Sequence, residues 1–200
     1  MRVLVIGGSG TIGRAVVQAL RAEHEVLSAA RGEGDVHVDI TSPDSIRQMY
    51  WQVGRVDAVV SAAGGGAWKP LDQLTDPDFE HSLHYKLMGQ VNVVRLGFEH
   101  VSDGGSITVT SGVLAQEPMP GSGAISLVNA GLEGFARAAA LEAPRGIRVN
   151  VVSPPWVTET LQAMGMDPRG GMPAADVAQA YVDAVRGTHN GQVLDARRYG

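Results

Sequence analysis

The chain is predicted to fold as an α/β domain, a doubly wound parallel sheet of about seven strands with helices on both faces. Three observations carry this. Short runs rich in β-branched residues alternate with segments of helical spacing along the whole chain. The runs are apolar on both faces, as strands covered on two sides must be. The first run ends in a glycine turn, Gly7-Gly8-Ser9-Gly10-Thr11-Ile12-Gly13, that leads directly into a helical pattern.

Taken in order, Arg2–Ile6 reads as the first strand, and Val16, Val17 and Leu20 space the helix of 14–22. Glu25–Ala29 and Val36–Ile40 read as the second and third strands, and Thr41-Ser42-Pro43-Asp44 supplies cap and first-turn residues for a helix to about Gln52. Val56–Ser61 is the fourth strand and runs into Ala62-Ala63-Gly64-Gly65-Gly66. Asp76-Pro77-Asp78 opens a long helix through 101, Ser106–Ser111 is the fifth strand, and 122–142 is a second long helix. Ile147–Ser153 is the sixth strand. Beyond Pro154-Pro155 a polar, glycine-rich stretch runs to Met172, followed by a helix over 174–186 and a last strand at 192–195.

Composition narrows the function classes. With 16 Lys and Arg against 21 Asp and Glu the net charge is −5, and no basic cluster of the density nucleic acids require is present. At 44% hydrophobic and 18% charged, with no apolar run of bilayer length, the chain reads as globular, with no membrane partner expected. The absence of cysteine excludes disulfides, thiolate metal sites and a cysteine nucleophile. The apolar start, Met1–Ile6, is too short for a secretory signal, so a cytoplasmic location is expected. No repeat or linker divides residues 1–200, so one domain binding small molecules is expected. The 26 glycines follow no collagen-like period and therefore mark particular turns and close approaches.

In a parallel sheet ligands bind beyond the carboxyl ends of the strands. Those ends are the turn at Gly7, the residues after Ala29, the Ser61–Gly66 loop, Thr110-Ser111, and Ser153–Thr158. Glycines at 7, 10 and 13 between strand and helix suit a pyrophosphate, because they let the backbone approach and leave the helix N–H groups facing the anion.

The ordered set of this turn, Val38-Asp39-Ile40, Ser61-Ala62-Ala63-Gly64, Thr110-Ser111-Gly112 and Pro144-Arg145-Gly146-Ile147-Arg148-Val149-Asn150-Val151-Val152-Ser153-Pro154 resembles the short-chain dehydrogenase/reductase family nearly end to end. The resemblance implies a Rossmann-like, nicotinamide-binding domain. Gly7, Gly10, Thr11, Ile12 and Gly13 would hold the pyrophosphate, Asp39 and Ile40 would flank the adenine, and Ala62, Ala63 and Gly64 would line the ribose. Val157 and Thr158 would meet the carboxamide and phosphates. Asp39 also reads as a residue approaching the Thr41 cap. The second strand ends without an acid for a ribose diol and places Arg31 just beyond it, so NADP(H) is expected over NAD; Glu33 and a solvated Arg31 are the opposing considerations.

The family's catalytic set is a tyrosine, a lysine four residues later, a strand-end serine and an asparagine on the preceding long helix. Here the resemblance places Ile125 at the tyrosine and Asn129 at the lysine, and residues 113–142 contain neither Tyr nor Lys. Ser111 stands at the strand end with Thr110 beside it, and Lys86 stands where the asparagine would be. Lys86 reads either as a charge entering the site from the neighbouring helix or as an exposed helix residue. His84 and Tyr85 rank below it, since adjacent helix positions face different ways. Trp68 and Trp156 either stack on a cofactor or flat substrate or simply cover apolar surface.

The segment 159–173 is shorter than the family's usual flap and predicts an open or shallow site, or one completed by a second subunit. The two long helices imply a homodimer or homotetramer. The expected activity is an NADP(H)-dependent oxidoreductase for a small carbonyl or alcohol, with Ser111 and Lys86 as catalytic residues. The alternatives are a non-redox isomerase, dehydratase or cyclase, or an NADP-sensing binding protein.

Overall fold

A computed structural model describes residues 1–200. Its strands are β1 (Arg2–Ile6), β2 (Glu25–Ala30), β3 (Val36–His37), β4 (Val56–Ser61), β5 (Val101–Thr110), β6 (Arg148–Ser153) and β7 (Val193–Asp195). All pair in parallel in one sheet of order β3-β2-β1-β4-β5-β6-β7. The helices are α1 (Thr11–Arg21), α2 (Pro43–Val53), α3 (Asp76–His81), α4 (Gly89–Gly97), α5 (Gly123–Glu142), α6 (Thr158–Ala163) and α7 (Ala174–Arg186). The strand order reverses between β1 and β4, and the crevice above that switch point is where such sheets receive ligands.

Two apolar layers hold the sheet. On one face Val3, Val5 and Val60 meet Val16 and Leu20 of α1 and Val177 and Tyr181 of α7. On the other, Leu4, Val59 and Ile107 meet Met49 and Tyr50 of α2, Val93 of α4 and Leu132 of α5. Alternation within each strand sends neighbours to opposite layers, and each fully buried aliphatic contributes roughly 1.5–3 kcal/mol.

Three sequence expectations are corrected. The helix expected over 76–101 is continuous from Asp76 to Gly97 but not uniform: a π-helical segment, Ser82–Met88, joins α3 to α4, and α4 stops at Gly97 against Tyr50. The third strand is only two residues long, because the Asp39 carboxylate accepts from the Thr41 amide and hydroxyl and turns the chain toward α2. Ser42, not Thr41, caps α2, accepting from the Ser45 amide. The short flap forms α6 and is strapped down where Met172 donates to the Trp156 carbonyl at 2.8 Å and Thr158 donates to the Met172 carbonyl at 2.9 Å. No helix is long and apolar enough to cross a membrane.

Candidate active site

The crevice divides into two cavities that share Gly64. The first, about 410 Å³, lies over the ends of β1 and β2, among Gly7, Gly10, Arg31, Ile40, Ala62 and Tyr85. The second, about 320 Å³, lies over the end of β5, among Lys86, Ser111, Ile125, Asn129, Trp68 and Trp156.

The glycine turn is built to be crowded on one side and open on the other. A Cβ on Gly13 would land on the Gly7 carbonyl, so α1 could not sit this close to β1 with any other residue there. Gly10 differs, since a Cβ there would meet only the Gly7 carbonyl, at 3.3 Å; its small size leaves room for something outside the chain. Gly10 caps α1 without a side-chain bond, which leaves first-turn N–H groups unpaired beside the cavity. Thr11 is exposed at the first helical position, and Ile12 rests half-buried on the core. An anionic pyrophosphate fits a helix end of this kind, uncapped, positive and sterically open.

Farther along, Arg31 is exposed at the mouth, where its guanidinium donates to the Tyr85 hydroxyl at 3.1 Å and lies 5.0 Å from that ring's centre. Asp39 is held below the ordinary carboxylate range, chiefly by the Thr41 amide. One of its oxygens is thereby spent on the approach to α2, and the residue lies outside the cavity lining, whereas Ile40 lines it. Ala62 and Ala63 follow β4 along the cavity floor, with the Ala62 amide bonded to the Ile6 carbonyl at 2.8 Å. Gly64 has φ +109°, and a Cβ there would meet the Cα of Lys86 at 3.0 Å, so this glycine lets the β4 loop lie against the π-helical segment.

In the second cavity Lys86 is only 6% exposed. π-Helical turns recur at functional sites because they displace one side chain from the regular spiral, and here the displaced run carries Lys86 inward. Its ammonium donates to the Ser111 carbonyl at 3.2 Å, and it has no carboxylate partner within ion-pair distance. Burial pushes its pKa down to about 8. Ile125 and Asn129 face the same space. Asn129 is 2% exposed, and its Oδ1 has no hydrogen-bond partner, an orphaned acceptor beside the cavity.

Sequence reasoning missed two groups. Glu133, 1% exposed, accepts from the Ser111 hydroxyl at 3.1 Å and from the Gln116 amide at 2.7 Å. The signal was its place four residues after Asn129 on one helix face. Gln90 brackets the end of β5 by bonding both the amide and the carbonyl of Thr110 at 2.8 Å. The Thr110 hydroxyl is likewise spent, donating to the Ser61 carbonyl at 2.6 Å and meeting the Tyr181 hydroxyl at 2.7 Å. Thr110 is thus a structural tie, which leaves Ser111 as the strand-end residue lining the cavity.

Val157 turns its side chain into the core, so only its backbone is left for a ligand, and the Thr158 amide is committed to Met172. Trp68 and Trp156 meet edge to face at 5.2 Å and wall the cavity. His84 is drawn away from it, to the Thr41 carbonyl.

The family model described as Enoyl-(Acyl carrier protein) reductase matches residues 9–189. A hydroxynaphthalene reductase of Aspergillus fumigatus is 30% identical over 178 residues, covering 77% of this chain and 65% of that protein, so the chain spans just under two thirds of that relative. The human 3-oxoacyl-(acyl-carrier-protein) reductase is 30% identical over 175 residues, 76% of this chain and 74% of that one. Among solved structures, the protein lin1944 from Listeria innocua superposes with a TM-score of 0.92 at 41% identity, covering 98% of both chains. A small-chain dehydrogenase in complex with NADPH superposes with a TM-score of 0.86 at 26% identity, over 98% of this chain and 95% of that one. With the sheet order, the glycine cradle and a family match over most of the chain, the chain belongs to the short-chain dehydrogenase/reductase family.

Proposed function

We propose that this protein is an NADP(H)-dependent oxidoreductase of a small carbonyl or alcohol, in which Lys86 takes the proton-transfer role that Ile125 and Asn129 cannot perform. One observation carries the reading: a buried ammonium with a single protein partner, the Ser111 carbonyl, lines the cavity over the end of β5. An ammonium offers three donors, so those not used on Ser111 are available to a substrate oxygen. With its pKa pushed down to about 8, Lys86 changes protonation near working pH, as a general acid or base should.

The remaining residues support it. The unpaired Oδ1 of Asn129 suits a ribose hydroxyl, which would let the amide replace the family's lysine in holding the sugar. The turn of Gly7, Gly10, Thr11, Ile12 and Gly13 would hold the pyrophosphate, Ile40 and Asp39 the adenine side, and Ala62, Ala63 and Gly64 the ribose. The Val157 backbone and Thr158 would lie at the carboxamide end. Arg31 at the mouth favours a 2′-phosphate, and a similar solved structure contains NADPH. When bound, the cofactor supplies or takes the hydride; the chain positions the substrate, excludes water and moves the proton. The Trp68–Trp156 wall favours a flat or acyl substrate, in keeping with the activities for which the Aspergillus and human relatives are named. We further propose one domain over 1–200, a homodimer or homotetramer through α4 and α5, and a cytoplasmic setting.

The test is Lys86→Met, assayed with NADPH against a panel of small ketones and aryl carbonyls. Loss of a general acid costs roughly 10²–10⁴-fold, so turnover should fall by that factor while NADPH affinity stays within about two-fold. In wild type, carbonyl reduction should decline as pH rises through about 8, as Lys86 loses its proton. Unchanged turnover in the variant overturns the assignment.

A further inference from the structure

Lys86 and Glu133 are the only charged side chains in the buried interior, and both address Ser111. Lys86 reaches its carbonyl from the π-helical segment; Glu133 reaches its hydroxyl from α5. Placing an ionised carboxylate in an apolar helix face between Leu132 and Ala136 is costly, and no cation lies within ion-pair range to offset it. Two neutral donors, Ser111 and Gln116, are its whole compensation.

A hydroxyl has one proton. Since the Ser111 proton points to Glu133, the Ser111 oxygen can present only lone pairs to anything in the cavity. Lys86, beside it, presents donors. An acceptor next to a donor complements a hydroxyl group, which can give one hydrogen bond and receive another. A carbonyl oxygen can only receive, and would leave the Ser111 lone pairs facing it unpaired.

We propose that Glu133 is a positioning residue that sets the polarity of the site: by accepting the hydrogen bond of the Ser111 hydroxyl it leaves Ser111 only lone pairs to offer, so the cavity favours ligands that carry a free hydroxyl. This rests on reading the Lys86–Ser111 cavity as the substrate site.

The test uses two probes that neither donate nor accept hydride under assay conditions, 1-naphthol and 1-methoxynaphthalene, titrated calorimetrically into NADP⁺-loaded protein. They share a ring system and differ in whether the oxygen can donate. Wild type should bind the naphthol about ten-fold more tightly, the worth of one hydrogen bond. Glu133→Gln and Ser111→Ala should each bring the ratio to within about two-fold of unity. Ser111→Ala removes no charge from the core and carries the test if Glu133→Gln fails to fold. Lys86→Met should weaken both probes alike; if it weakens neither, the catalytic assignment of Lys86 fails while the naphthol preference still reports on Glu133. A wild-type ratio near unity, no binding of either probe, or a preference that survives both Glu133→Gln and Ser111→Ala overturns the proposal.

Discussion

The two halves of the crevice are under different constraints. Over β1 and β2 the backbone shapes the cavity, and the requirement is for the absence of side chains: Gly13 has no space for a Cβ and Gly10 keeps the cradle open. Over β5 side chains line the cavity: Ile125 and Asn129 at the positions the resemblance gives to Tyr and Lys, Lys86 entering from another element, and, behind them, Glu133 accepting from Ser111. A backbone cradle has few substitutes, because geometry leaves one residue type. A proton-transfer group has many, provided one of suitable pKa reaches the same point in space.

That contrast can be broken by substitution. The largest effect is expected at Gly13→Ala: the added methyl collides with the Gly7 carbonyl, and overpacking at backbone costs roughly 3 kcal/mol. Chemical denaturation should register it, and NADPH titration should show affinity falling by about 100-fold. If Gly13→Ala binds normally, the cradle is less constrained than its geometry implies.

Restoring one family residue should fail in the other half. Asn129→Lys would place a second buried ammonium in the cavity of Lys86, with an expected loss of about 2–3 kcal/mol at pH 7. The same substitution in a Lys86→Met background should cost much less, and a double-mutant cycle measures the difference.

Lys86 also predicts a pH dependence. Its folded pKa, about 8, lies below the unfolded value of 10.5, so between those values the unfolded chain binds more protons and stability rises with pH. Below about pH 8 the cost of burying the charge is fully present. The stability advantage of Lys86→Met over wild type should therefore be greatest at neutral pH and shrink by about 2 kcal/mol on approaching pH 10. Urea melts of the two proteins at pH 7 and 9.5 check this, and parallel curves would mean that Lys86 is not desolvated. The smallest effect is expected at the mouth, where Arg31→Ala should weaken NADPH by about ten-fold and leave NADH unchanged.

How much was legible follows the same division. The strands and the turn could be read because their signals are local: alternation, β-branching and glycine spacing lie within a dozen residues of each other. Even so, the helix that the sequence predicts over 76–101 hides a π-helical turn, since the apolar spacing runs on through it while the register changes by one residue. Asp39 illustrates the limit from the other side. Its motif fits the family, yet its carboxylate is partly used by Thr41, a contact two residues away that sequence left as one of two options.

By itself, then, the sequence determined the sheet, the open cradle at Gly10 and the absence of the Tyr–Lys pair, because each depends on residue identity and near neighbours. Only the tertiary structure decided that Lys86 is buried rather than solvated, that Thr110 is spent on Ser61 and Tyr181, and that the Ser111 hydroxyl donates its hydrogen bond to Glu133. Those outcomes depend on which elements the sheet brings together. Residues 86 and 133 lie on different helical segments and residue 111 just beyond β5, and the chemistry of each is set by what it meets across the crevice, through desolvation in one case and a committed hydrogen bond in another.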